Sequence, residues 1–116
     1  MNDLLTLTQR YVVAFNNKDL ASIAPLLADD FQLTDPSVKN LGPKEEALTY
    51  IHGIFTAHAS LSFSAAKIIV DPPYSALHFV LVLNETILDG VDVITWENGQ
   101  MKYMEAYLTP RHQAQE

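Results

Sequence analysis

A carboxyl group within an otherwise apolar strand is the first feature of this sequence that could do chemistry. In the run from Gly90 to Trp96, Asp92 shares a face with Ile94 and Trp96, because side chains alternate along a strand. Either this face is exposed, or Asp92 has apolar surroundings. Apolar surroundings would raise its pKa and keep it protonated near neutral pH, so that it could donate a hydrogen bond to an enolate oxygen.

Two tyrosines and a second aspartate could complete such a site. Tyr11 and Tyr50 each lie on the apolar stripe of a predicted helix, so both are expected to point inward. Tyr11 could supply a second donor to the oxygen bound by Asp92, and Tyr50 could orient Tyr11 by a hydrogen bond. Asp35 ends a short strand before Pro36, where water has access, so we expect it to be ionised and to act as a base.

Each of these residues also has an explanation that involves no chemistry. Asp35 could form an ordinary Asp-Pro turn, the two tyrosines could be packing residues, and Asp92 could lie on a polar outer face. The histidines are His52, His58, His78 and His112. They show no paired spacing with a carboxylate, so no metal site is expected.

The elements that must position these residues follow a simple order, helices first and strands afterwards. Three- and four-residue spacing predicts helices over residues 3–17, 20–27 and 43–58, with Pro25 distorting or ending the second. Strands are predicted over residues 31–34, 61–70, 74–88, 90–96 and 101–108, with turns at 71–73, 89–90 and 97–100. This order predicts an α+β domain in which helices cover a curled antiparallel meander and enclose an apolar cavity.

Length and composition restrict the possible functions. A chain of 116 residues is expected to form one domain over residues 1–116, and 48% apolar with 18% charged residues is typical of a soluble globular protein. A net charge of -7 argues against a nucleic-acid partner. The start at Met1 has no basic region and no apolar run is long enough for a membrane span, so a cytoplasmic location is expected. The absence of cysteine excludes disulfides and thiolate chemistry.

Several spaced motifs run through nearly the whole chain. They are Tyr11-x7-Asp19, Ala28-Asp29-Asp30-x4-Asp35-Pro36, Gly42-x7-Tyr50, Asp89-x2-Asp92-Val93, Asn98-Gly99-Gln100-Met101 and Met104-x-Ala106-Tyr107. Together they resemble the bacterial ketosteroid isomerases. The resemblance implies a cone-shaped sheet on three N-terminal helices, a fold shared with nuclear transport factor 2, cystatin-like proteins, polyketide cyclases and scytalone dehydratase.

The resemblance also implies an activity. Tyr11 and Asp92 would bind a dienolate oxygen, Tyr50 would support Tyr11, and Asp35 would move a proton, so that a double bond shifts from the β,γ to the α,β position of a ketone. No cofactor would be needed, and a homodimer is implied. By alignment, the apolar slot would be lined by Phe15, Phe79, Leu88, Met104 and Leu108.

The substrate is specified less closely than the chemistry. Leu27 replaces a tyrosine of some family members, and Leu108 stands where they often have tryptophan. The expected ligand is therefore an apolar cyclic ketone or a steroid-like molecule. Two other hypotheses remain: a cyclase, dehydratase or hydrolase that uses Asp35 with a histidine such as His78, and a non-catalytic binder or dimerisation module.

Overall fold

The helices occupy the first half of the chain. The computed structural model describes residues 3–111. Its helices are α1 at Leu4–Asn16, α2 at Leu20–Ile23 and α3 at Lys44–Ala57. Asp3 caps α1 by accepting a hydrogen bond from the Leu5 N–H, and Asp19 caps α2 in the same way. The predicted first and third helices are confirmed to within a few residues.

The second helix is shorter than predicted. After the single turn of α2, Pro25 lies in a 3₁₀ turn at Ala24–Leu26. Proline lacks the N–H that an α-helix needs, which explains why the helix ends here. The first strand consequently begins at Leu27 rather than at Phe31.

Five strands form one sheet in the order β1-β5-β4-β3-β2. Their bounds are β1 Leu27–Thr34, β2 Leu61–Asp71, β3 Tyr74–Leu83, β4 Thr86–Glu97 and β5 Gln100–Pro110. The strands β2 to β5 form the expected antiparallel meander, whereas β1 joins β5 in parallel. The α+β class with a curved sheet against three helices is confirmed.

One predicted turn is wrong. The hairpin between β3 and β4 turns at Asn84 and Glu85, not at Asp89 and Gly90. Asn84 has a φ of 55°, a left-handed conformation that asparagine tolerates better than most residues. Leu88 to Gly90 therefore lie inside β4, where they pair with β3.

The helices pack their apolar stripes on the inner face of the sheet. From α1 these are Leu7, Tyr11 and Phe15, and from α3 they are Ala47, Ile51 and Phe55, all of them buried. Each set follows four-residue spacing, which places its members on one helix face. Side chains from α1 and from α3 therefore both pack into the interior of the cone.

A buried polar chain fixes α1 against the sheet. Trp96 Nε1 donates a hydrogen bond of 2.8 Å to Ser75 Oγ, which lies 3.0 Å from Thr8 Oγ1. Thr8 and Ser75 are 0% and 1% exposed, so losing the Ser75 hydroxyl would leave the buried Trp96 Nε1 without its acceptor. Since Thr8 lies one turn before Tyr11, this contact also fixes the height of Tyr11 above the sheet.

The outer face of the sheet carries no helix from the described part of the chain. Ile69 and Tyr107 are more than half exposed there, and Val91 and Val93 lie between them in partly exposed positions. The homodimer implied by the resemblance would use this face, and it stays a prediction. None of the helices within residues 3–111 combines the length and the apolarity needed to cross a bilayer.

Gly90 provides a stability test of the packing inside the cone. A Cβ at this position would lie 2.5 Å from Phe79 Cζ and 2.6 Å from the Tyr107 carbonyl oxygen. We expect Gly90→Ala to lower the free energy of unfolding by about 1–3 kcal/mol, because overpacking forces neighbouring groups apart. Urea unfolding followed by circular dichroism measures this change.

Gly53 is the matched control. It lies exposed in α3, and a Cβ there would meet nothing within 4 Å. Gly53→Ala should raise the free energy of unfolding by about 0.5–1 kcal/mol, since alanine has the better helix propensity. Equal effects of the two substitutions would contradict the packing described for Gly90.

Candidate active site

A cavity of about 70 Å³ lies between the inner face of the sheet and helices α1 and α3. It is lined by Tyr11, Phe15, Leu27, Phe31, Leu33, Asp35, Tyr50, Ile51, Ile54, Phe63, Phe79, Leu81, Asp92, Met104, Ala106 and Leu108. A single water needs about 10–15 Å³, so the space can hold several waters or the reactive end of an organic molecule. The polar residues in this lining are the four that the sequence singled out as catalytic.

Asp92 lies deep in this cavity. On β4 it pairs with Leu77 of β3 and Ala106 of β5, and it is 4% exposed. Burial, with a smaller contribution from the charge of Asp35, raises the pKa of Asp92 to about 8. The carboxyl is therefore mainly protonated at neutral pH and has a proton to donate.

The Tyr11 hydroxyl points into the same deep end. It lies 4.0 Å from Met104 Sδ, and the rings of Phe15 and Phe63 pack against the Tyr11 ring at centroid distances of 5.8 and 5.9 Å. Burial raises the pKa of Tyr11 well above its ordinary value, and the charge of Asp92 adds to the effect. Because a thioether is a weak acceptor, the phenol O–H remains able to donate a hydrogen bond to a stronger acceptor in the cavity.

Asp35 sits half-buried at the mouth, on a loop that is tied at both ends. Leu33 and Leu41 exchange two backbone hydrogen bonds of 2.8 Å across the base of the loop. Asp35 Oδ1 accepts hydrogen bonds from the Ser37 N–H at 2.7 Å and the Val38 N–H at 2.9 Å. Asp35 thus forms the simple turn, and this turn fixes the direction of its carboxylate, while its role as a base stays a prediction.

Tyr50 lines the cavity, but its expected contact is wrong. Its hydroxyl donates a hydrogen bond of 2.7 Å to Asp35 Oδ2 and not to Tyr11. Tyr50 is half-buried at the edge of the α3 stripe, whereas Tyr11 is at the closed end. Burial, followed by the hydrogen bond to Asp35 and its charge, raises the pKa of Tyr50 to about 12.

Four of the five apolar residues predicted by alignment line the cavity. They are Phe15, Phe79, Met104 and Leu108. Leu88 does not line it, although it is on the inward face of β4 opposite Leu81. Its cross-strand partner Leu81 does line the cavity, so the boundary of the cavity runs between these two side chains.

Several lining residues were missed by the sequence prediction. The most informative is Phe63 of β2, whose ring lies 4.7 Å from that of Phe15 and 5.0 Å from that of Phe79. The sequence contains a signal for this residue, since Phe63 is a large apolar residue flanked on both sides by serine. Alternation of this kind indicates a single inward side chain.

The alternative hypothesis of a cyclase, dehydratase or hydrolase pairs Asp35 with a histidine such as His78, and the structure excludes His78 from that role. His78 is exposed on the outer face, because its neighbours Leu77 and Phe79 point inward on β3. It cannot share the cavity with Asp35. Within residues 3–111 no group of three His, Asp or Glu side chains could hold a metal, and His112 lies outside these residues.

Comparisons with known proteins agree with this architecture. A protein of unknown function from Burkholderia xenovorans, described as NTF-2 like, superposes with a TM-score of 0.83 at 14% identity, covering 95% of this chain and 85% of that one. A proposed ketosteroid isomerase from Kribbella flavida gives a TM-score of 0.80 at 17% identity, covering 96% and 81%. An LEH-like epoxide hydrolase from M. tuberculosis gives 0.72 at 13% identity, covering 90% and 80%.

Such low identities establish the fold and leave the activity open, since one fold hosts many functions. No curated protein matches the sequence. The SnoaL-like domain profile matches residues 8–104, which include Tyr11, Asp35, Tyr50 and Asp92. The chain therefore belongs to the SnoaL-like domain family.

Proposed function

We propose that this protein is an isomerase that shifts the double bond of a β,γ-unsaturated ketone into conjugation with the carbonyl group. The proposal rests on one observation above all. A buried carboxyl group, Asp92, is held protonated in the same apolar cavity as the Tyr11 hydroxyl. Two neutral donors in an apolar cavity favour a ligand oxygen that becomes negative during the reaction.

The proton transfer is assigned to Asp35. Its carboxylate takes a proton from the carbon between the carbonyl and the alkene, and the electrons of that C–H bond move to the carbonyl oxygen. Tyr11 and Asp92 donate hydrogen bonds to the resulting dienolate oxygen. Asp35 then returns the proton to the far alkene carbon, which gives the conjugated ketone. Atoms and charges balance without a cofactor.

The chemistry of the cavity lining supports an apolar substrate. Apart from the side chains of Tyr11, Asp35, Tyr50 and Asp92, the lining of the cavity is apolar. Exclusion of water strengthens the hydrogen bonds to the dienolate, because the effective dielectric constant is low. We assign the substrate to apolar cyclic ketones, which include steroid-like molecules.

Loss of either proposed role should reduce turnover of a β,γ-unsaturated ketosteroid or cyclic ketone, followed by the ultraviolet absorbance of the conjugated product. Asp35→Asn removes the base and should lower kcat by about 10²- to 10⁴-fold. Asp92→Ala and Tyr11→Phe each remove one donor to the oxygen and should cost about 10²- to 10³-fold.

Asp89→Asn serves as the control, since Asp89 is on β4 but faces outward and pairs with Arg111. Its rate should match that of the wild type. Equal slow rates in the wild type and in the Asp35 and Asp92 variants would refute the isomerase. Tight binding of the ketone without turnover would favour a non-catalytic binder instead.

The protonated state of Asp92 can be tested without substrate. The folded protein keeps this proton up to about pH 8, whereas the unfolded chain loses it near the ordinary Asp value of 3.8. The folded state therefore binds more protons between about pH 4 and 8, and the free energy of unfolding should fall as pH rises through that window. The limiting loss is on the order of 5 kcal/mol at 1.36 kcal/mol per pH unit.

Urea unfolding at pH 5 and pH 8 measures this loss. Asp92→Asn stays neutral at both values and should lack most of it. In contrast, Asp89→Asn should keep the wild-type loss, because the hydrogen bond from Arg111 lowers the pKa of Asp89 and places its titration below the window. An equal loss in wild type and Asp92→Asn would mean that Asp92 is ionised in the folded protein.

A further inference from the structure

The Asp35 carboxylate is held at both of its oxygens. Two backbone N–H groups, from Ser37 and Val38, bind Oδ1, and the Tyr50 hydroxyl binds Oδ2 at 2.7 Å. The loop itself therefore fixes one oxygen. Among residues 3–111, the other oxygen has a single side-chain donor, which comes from α3 rather than from the loop.

Tyr50 is separated from the oxygen-binding end of the cavity. The Tyr11 hydroxyl lies against Met104 Sδ at the buried end, and Tyr50 lies half-buried beside Asp35 at the mouth. A substitution at Tyr50 should therefore change the base and leave the donors Tyr11 and Asp92 in place.

We propose that Tyr50 is a positioning residue for the base, which favours the charged form of Asp35 and thereby drives the return of the proton to the substrate. This role rests on the proposed isomerase function. It differs from support of Tyr11, because it acts on the proton transfer and not on the dienolate oxygen.

The direction of the effect follows from hydrogen bonding. A phenol O–H binds a carboxylate more strongly than it binds the neutral carboxylic acid. It therefore opposes the first transfer, from substrate carbon to Asp35, and favours the second, from Asp35 to the far alkene carbon. Tyr50 keeps its own proton throughout, since burial and Asp35 raise the pKa of Tyr50 to about 12.

The lifetime of the protonated base is the quantity that this role controls. While Asp35 holds the substrate's proton at the mouth of the cavity, that proton can exchange with water. A hydrogen-bond donor that speeds the return of the proton shortens this interval. It also holds the Asp35 carboxyl in one orientation relative to the substrate. Tyr50 should thus keep the transferred proton from being replaced by one from solvent.

The test is the isomerisation of an unlabelled β,γ-unsaturated ketone in D₂O, with the deuterium content of the product measured by mass spectrometry at low conversion. Tyr50→Phe keeps the ring and removes only the hydroxyl. It should raise deuterium incorporation at least threefold relative to the wild type. Unchanged incorporation would overturn the proposed role of Tyr50.

Tyr103→Phe is the matched control. Its hydroxyl lies 2.8 Å from Thr34 Oγ1, next to the same loop, but on the outer side of the sheet and without contact to Asp35. It should leave deuterium incorporation as in the wild type. An equal rise in both variants would indicate general loosening of the loop and would contradict a specific role of Tyr50.

A second measurement separates this inference from the proposed reaction. In protein labelled with ¹³C at the aspartate carboxyl groups, Tyr50→Phe should move the Asp35 carboxyl resonance at constant pH, because that carboxyl loses a hydrogen bond of 2.7 Å, whereas Tyr103→Phe should leave the resonance in place. An unmoved resonance in Tyr50→Phe would overturn the role of Tyr50 even in an active enzyme. A moved resonance in a protein that converts no ketone would uphold the Tyr50–Asp35 contact and refute the isomerase.

Discussion

The cost of placing a carboxyl group among aromatic and aliphatic side chains is the constraint on which the site depends. In water Asp92 would be ionised at neutral pH, and in this cavity burial keeps the proton on it. The surrounding fold must supply enough apolar contact to offset that cost. The rings of Phe15, Phe63 and Phe79, which pack on one another at tilted angles from α1, β2 and β3, line the same cavity and contribute apolar contact to it.

The same architecture separates two kinds of carboxyl chemistry within one small chain. Asp92 occupies the middle of a strand, where both neighbouring strands exclude water. Asp35 occupies a loop whose backbone N–H groups point at it. In the proposed reaction, this difference in environment makes one group a neutral hydrogen-bond donor and the other a proton acceptor. A short cone-shaped fold achieves this by using the closed and open ends of a single cavity.

Much of this arrangement was predictable from local pattern. Strand alternation put Asp92 on one face with Ile94 and Trp96 and left open whether that face was buried, whereas the helical spacing placed Tyr11 on the buried stripe of its helix. The partner of Tyr50 was not predictable in this way, because a helix stripe gives the direction of a side chain but not its depth in the cavity. Leu88 was assigned to the cavity by the family resemblance alone, and the structure leaves it out of the lining. The turn predicted at Asp89 and Gly90 lies instead at Asn84 and Glu85, where asparagine tolerates the left-handed conformation.

Pairings between distant segments were also beyond local periodicity. Nothing in the sequence near β1 shows that it pairs in parallel with β5, the last strand. The joint positions of Tyr11, Asp35 and Asp92 were predicted through the family resemblance, since their spacing in the chain does not reveal that they share a cavity. This information is carried by the whole fold and not by any one element.

The parallel pairing of β1 with β5 has a consequence for the order in which the molecule assembles. Because β1 is an edge strand, its one pairing in the sheet joins residues that are far apart in sequence, such as Leu33 and Met104. Contacts between such distant segments carry a large loop-closure cost and tend to form slowly. The Asp35 loop, which directly follows β1, therefore depends on a long-range contact for its place beside the sheet.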